Sequence, residues 1–281
     1  MWKRINKFVR AHTVLSAFLL TVFFALLTMT GGLLFILGNI VEEITGIQIY
    51  IAWQLVLSVI GIWFMKKLQV IDEGDFKFKN IGKGFLLSWV ILLLAAVMFV
   101  LGLISPPESG FLTPSLLYLI TVIIYPFIVS GLFEEVVFRG ILLKILLKKM
   151  GGTKKGIISA FIISAVVFGA AHSVHIIWKN PLELVGDIIF PIAGGMFLGA
   201  IYLRTKTLIA PILIHGLFNL FAGGMIWWAF TSKGPVSSVE TTLADVITVL
   251  IVTLPIVITA FVLLRKVKPD EITAWEKASK Q

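Results

Sequence analysis

Three short groups of polar residues stand in otherwise apolar sequence, and their types and spacing could supply a base, an ion pair and hydrogen-bond donors. The first, Glu134-Glu135-Val136-Val137-Phe138-Arg139, brings two carboxylates and a guanidinium together. Neighbouring positions on a helix point about 100° apart, so the two glutamates cannot aim at one spot. Glu135 and Arg139 are spaced i, i+4 and share a face, where an ion pair would ease the burial of both. Glu134 is left without a local cation on a different face and could serve as a general base. A structural knot of all three charges is the competing reading.

The second group is Phe168-Gly169-Ala170-Ala171-His172. Phe168 lies one turn before His172 on the same face, and the small residues between them let another helix approach. A histidine here could also be a satisfied polar residue near a membrane surface. The third is His215-Gly216-Leu217-Phe218-Asn219. Its imidazole and carboxamide, spaced i, i+4, could donate together to one developing oxyanion. Helix–helix hydrogen bonding explains the same pair without chemistry. Asp187 is either a partner for Arg139 or a residue near the outer surface, and it is not assigned to the site.

The elements carrying these groups are long apolar runs. The chain has 281 residues, 58% of them hydrophobic and 14% charged, with a mean hydropathy of +1.02. Soluble domains carry about 25% charged residues. Runs at 14–38, 48–65, 85–104, 114–138, 157–173, 184–203, 208–231 and 245–264 approach the ~20 residues that cross hydrocarbon. The expected fold is therefore all-α: a polytopic transmembrane helical bundle of about eight spans, forming one domain over 1–281 with a motif core at 114–231. The first run is read as a retained span, since it is too long for a signal peptide. A charge at mid-bilayer costs roughly 2.5–3.5 kcal/mol on insertion scales, so the charged groups inside spans are candidates for function.

Charge placement orients the bundle. Lys3, Arg4, Lys7 and Arg10 precede span one, and lysines at 66–83 follow span two. Lys144, Lys148, Lys149, Lys154 and Lys155 follow span four, Arg204 and Lys206 span six, and Arg265, Lys266 and Lys268 span eight. The other connections hold only Lys179 and Lys233. Both termini are thus expected in the cytoplasm, in the plasma membrane if the source is prokaryotic. The net charge of +9 has this topological explanation. No basic domain outside the membrane invites nucleic acid. The chain has no cysteine, which excludes disulfides and thiolate chemistry.

Depth makes convergence plausible. Glu134 lies ten residues before Lys144, or roughly 15 Å at the helical rise. His215 and Asn219 fall roughly 10–16 Å from the same face, and His172 roughly 22 Å. The groups could line one cavity open to the cytoplasm.

The ordered set Glu-Glu-x-x-x-Arg, Phe-x-x-x-His and His-x-x-x-Asn resembles the CAAX-protease and bacteriocin-processing (CPBP, or Abi) family of intramembrane proteases. Glu134, Glu135 and Arg139 match the first motif, Phe168 and His172 the second, and His215 and Asn219 the third. The resemblance implies an intramembrane endopeptidase acting on a membrane-associated protein or peptide within the lipid bilayer. It implies that Glu134 and His172 activate a water, that His215 and Asn219 hold the oxyanion, and that Glu135, Arg139 and Phe168 support them. Family members have also been described as metalloproteases, so zinc held by Glu134, His172 and His215 is the alternative. With no His-Glu-x-x-His motif present, metal-free catalysis without a cofactor is the expectation. A non-catalytic immunity or scaffold protein and a proton-coupled transporter are the rival readings. Transport would favour broken helices and inverted repeats, and neither is evident in the sequence.

Overall fold

A computed structural model describes residues 1–40, 43–104, 113–173, 181–230 and 242–278. Lys179 and Lys233, and the Ser105-Pro106-Pro107 sequence, whose prolines suit a break between the third and fourth runs, lie outside these residues. The described residues form helices joined by short connections, with no strand among them. The chain is a multi-pass membrane protein. Among the described residues, six helices are long and apolar enough to cross a bilayer: Thr13–Asn39, Thr45–Lys67, Leu116–Met150, Lys154–Ala171, Pro181–Thr205 and Leu243–Arg265. A bent pair, Ile81–Leu87 and Trp89–Ile104, makes a seventh if it is one span. The seventh expected run, 208–231, holds the shorter apolar helix Ile209–Phe221. All eight runs thus correspond to helical segments, two of them in modified form.

We number the helices α1 (Trp2–Ala11), α2 (Thr13–Asn39), α3 (Glu43–Lys67), α4 (Ile81–Leu87), α5 (Trp89–Ile104), α6 (Leu116–Met150), α7 (Lys154–Ala171), α8 (Pro181–Thr205), α9 (Ile209–Phe221), α10 (Met225–Phe230), α11 (Leu243–Arg265) and α12 (Pro269–Ala278). Local chemistry explains several boundaries. Ser115 caps α6 by accepting from the Tyr118 amide, and Thr153 caps α7 by accepting from that of Gly156. Thr242 and Asp245 form a reciprocal capping box at the start of α11. The expected third span bends by 68° where α4 gives way to α5, at the buried Ser88. The expected seventh span ends early. Gly224 adopts φ 73°, a backbone conformation suited to glycine, and α10 begins just beyond it.

Helix α6 carries the first motif and departs most from expectation. Phe127–Glu134 and Val136–Leu143 are π-wound, with i→i+5 bonding in place of the usual i→i+4. The segment after residue 138 continues the helix and is buried over most of its length, with Lys148 and Lys149 in its last turn. Ile141 to Leu147 are all buried, Lys144 included. α6 runs on without a break to Met150 and ends at Gly151.

The segments expected on one side of the membrane meet one another in space. The Asn6 amide donates to the Lys67 carbonyl at 3.0 Å. Lys83 donates to the Arg204 carbonyl at 2.8 Å, and Asn80 to that of Thr205 at 3.0 Å. Lys154 caps the end of α11 through the carbonyls of Leu264, Arg265 and Val267. Asp75 forms the centre of this end. Its carboxylate accepts from Lys144 at 2.5 Å and from the Tyr202 hydroxyl at 2.8 Å, and its carbonyl accepts from the Leu208 amide at 2.7 Å. Lys144 also reaches the Val70 carbonyl and Asp72. Burial raises the Asp72 carboxyl above its usual range, against the opposing pull of Lys144. One short connection thus fixes α6, α8 and the start of α9 relative to one another.

Candidate active site

The first and third motifs lie on helices that pack together through small residues. A Cβ on Gly131 of α6 would stand 2.7 Å from the Ile212 carbonyl of α9, and one on Gly216 would stand 2.4 Å from the Phe127 ring. Only glycine lets these two backbones approach so closely. The approach sets the first and third motifs face to face.

Glu135 is wholly buried between them. Its Oε1 accepts from Arg139 Nη1 at 2.7 Å and from His215 Nδ1 at 2.8 Å. The expected ion pair is present, and the carboxylate has a second partner that sequence spacing gave no means to detect. Glu135 Oε2 has no hydrogen-bond partner among the described residues. Arg139 spends its other terminal nitrogen on the Gly195 carbonyl of α8, at 3.2 Å. Its partners do not include Asp187, which lines a cavity with Glu183 and Asp245 that His172 also borders.

With Glu135 ion-paired to Arg139, its carboxylate accepts, so the hydrogen resides on His215 Nδ1. His215 Nε2 then faces Glu134, whose Oε2 is 3.9 Å away, beyond hydrogen-bond range. His172 stands at the end of α7. Its Nδ1 lies 2.9 Å from the Phe168 carbonyl, which can only accept, and this fixes the hydrogen on Nδ1 here too.

Phe168 is the packing centre of the group. Its ring meets His172 edge-on at 5.0 Å and His215 at 6.2 Å. The Arg139 guanidinium lies over its face at 4.7 Å. A buried cation over an aromatic face gains about 2 kcal/mol or more. Sequence spacing paired Phe168 with His172, but its contacts with Arg139 and His215 depend on tertiary packing.

Glu134, His172, His215 and Asn219 line one cavity of about 130 Å³, together with Phe168 and Ser130. The Asn219 side chain makes no hydrogen bond to the described residues and is partly exposed on this wall. Glu134 and His172 also line a larger, mainly apolar cleft of about 580 Å³. Its far wall is α2, through Ala25, Thr28, Met29 and Gly32, and it also includes Tyr50. The two glutamates differ as helix geometry requires: Glu135 is enclosed by Arg139 and His215, whereas Glu134 borders both spaces. The arrangement can hold a water or a carbonyl between a carboxylate, two imidazoles and a carboxamide.

A comparison with protein families reaches the same segment. Residues 116–221 match the Rce1-like type II CAAX prenyl endopeptidase family. The match contains all seven motif residues and agrees with the resemblance drawn from them. No curated protein matches the chain. The matched segment runs from α6 to the end of α9; α2, the far wall of the cleft, lies outside it.

No group of three His, Asp or Glu side chains among the described residues is arranged to hold a metal ion. With Nδ1 bonded to Glu135 in His215 and to a carbonyl in His172, Nε2 is the ring atom each histidine has left for the cavity.

Proposed function

We propose that the protein is an intramembrane endopeptidase that hydrolyses a membrane-associated protein or peptide. The observation carrying this reading is that Glu134 and His172 border both the small polar cavity and the large apolar cleft. A peptide whose apolar part occupies the cleft would present a carbonyl between Glu134 and the wall formed by His215 and Asn219.

In this mechanism Glu134 takes a proton from a water that His172 helps to orient. The resulting hydroxide attacks the peptide carbonyl. His215, hydrogen-bonded to Glu135 through Nδ1, offers Nε2 toward the developing oxyanion, and donation from Nε2 requires the imidazolium. Glu134, Glu135, Arg139 and a charged His215 together sum to zero, which makes that form affordable in low dielectric. The Asn219 amide supplies the second donor. The tetrahedral intermediate collapses by breaking the carbon–nitrogen bond. The proton held by Glu134 passes to the leaving amine.

The match to a prenyl endopeptidase family makes prenylated carboxyl termini one substrate class. Peptide precursors or other membrane proteins are the classes to expect if the source is prokaryotic. The whole chain is proposed to act as one unit with both termini in the cytoplasm. Peptide profiling by mass spectrometry on native membranes tests the activity. Products should appear with wild type and vanish with Glu134→Gln, and equal products from both would refute the reading. Thorough chelation of the folded protein should leave cleavage intact. Loss of cleavage restored by stoichiometric zinc would overturn the metal-free mechanism.

A further inference from the structure

We propose that the protein carries a binding site for the phosphate group of an anionic phospholipid at the end of the bundle where α1 lies. The site is a pocket of about 180 Å³. Arg10 comes from α1, Lys148 and Lys149 from the end of α6, and Leu68 and Val70 from the connection after α3. The lining holds three cations and no acid.

The position of the pocket identifies the kind of ligand. Three membrane-length helices end here: α2 begins at Thr13, α3 ends at Lys67 and α6 ends at Met150. A pocket at the shared ends of three such helices lies at the level of lipid headgroups. Helix α1 has the form of an interfacial helix. Trp2, Ile5 and Val9 are half-buried along one side, while Lys3, Arg4, Lys7 and Arg10 are exposed. Trp2 packs edge-on against Trp63 and Phe64, near the end of α3. An aromatic anchor beside basic residues is the usual arrangement at a membrane–water boundary.

The chemistry of the pocket favours an anion. Arg10 donates to the neutral Gln69 side chain at 3.4 Å. Lys148 donates to the Gln69 carbonyl. Neither Arg10 nor Lys149 pairs with a carboxylate among the described residues. Lys144, one turn below Lys148, is by contrast held by Asp72 and Asp75. The apolar floor of Val9, Leu68 and Ile145 suits the first carbons of a lipid better than a free ion. Val70, part of the lining, accepts from Lys144 through its carbonyl, so an occupant would brace the connection that holds Asp75.

Native mass spectrometry of the full-length protein in detergent tests this. The protein is titrated with phosphatidylglycerol, with phosphatidylcholine of the same acyl chains, and with inorganic phosphate. Phosphatidylglycerol should bind in preference to phosphatidylcholine, and inorganic phosphate should compete only weakly. The double variant Arg10→Gln/Lys149→Gln should lose about fivefold in affinity per cation removed. Both residues are exposed, so the variant should melt like wild type. Lys3→Gln/Arg4→Gln removes the same charge from α1 outside the pocket and should bind nearly as wild type. Equal binding of the two lipids would overturn the proposal, as would an equal loss in the control variant. Inorganic phosphate binding as tightly as the lipid would show a soluble-anion site and refute the lipid assignment.

Discussion

Glu135 and His215 are joined by a 2.8 Å hydrogen bond across eighty residues of chain. The same Glu135 oxygen holds Arg139 at 2.7 Å. One buried carboxylate therefore sets the position of a cation on its own helix and of an imidazole on another. The adjacent Glu134 is left bordering the cavity. The roles of the two glutamates should separate cleanly on mutation.

Glu134→Gln preserves shape and removes the proposed base. Cleavage should fall by about 10²–10⁴-fold while the melting curve stays close to wild type. Glu135→Gln leaves Arg139 and His215 with an amide. It should lose activity and also roughly 3–5 kcal/mol of stability, the cost typical of a broken buried ion pair. Melting curves and cleavage assays on both purified variants decide the matter. A stable but inactive Glu135→Gln beside a fully active Glu134→Gln would reverse the assignment.

Phe168→Leu keeps an apolar side chain but removes the ring that faces Arg139, His172 and His215. We expect a stability loss of about 1–2 kcal/mol. Because the imidazoles lose their common reference surface, kcat should drop more than KM rises. A variant with wild-type kcat would show that the ring only fills space.

Lys144→Met should be one of the most damaging changes outside the motifs. It strands Asp75, which is wholly buried, and Asp72 without their cation. The expected cost is about 3–5 kcal/mol. Lys144→Arg should recover part of it by keeping the charge. Chemical denaturation of the two variants in detergent measures the difference, and equal stabilities would remove Lys144 from this role.

The orientation can be read by cysteine labelling, because the native chain has no cysteine. A Cys replacing Lys77, an exposed residue of the connection after α3, should react only from the cytoplasmic side. A Cys at Ser237, outside the described residues, should react only from the opposite side. The reversed pattern would invert the proposed topology.

Much of this architecture was legible because it is periodic or covalently local. Apolar run length located the helices. The i, i+4 spacing predicted the Glu135–Arg139 pair and the contact of Phe168 with His172. Parity of basic connections anticipated that the segments holding Lys83, Lys144, Lys154 and Arg204 would gather at one end. What escaped detection depends on tertiary contact. Nothing local marks His215 as a partner of Glu135. Lys144 resembles every other basic residue of its segment until Asp72 and Asp75 close over it. The bend at Ser88 and the π winding of α6 fall within runs whose composition suggests uninterrupted helix.

The order of these contacts along the chain has a consequence for biogenesis. Asp75 and Lys144 can meet once the first half of the protein has been made. Tyr202 and the Leu208 amide, which complete the Asp75 cluster, emerge much later. Glu135 must likewise wait for residue 215 before it has both partners. A nascent chain can therefore insert the helix bearing Glu134 well before the opposite wall exists. Translation itself delays completion of the site, and a chain released before His215 would occupy the membrane with half a cavity.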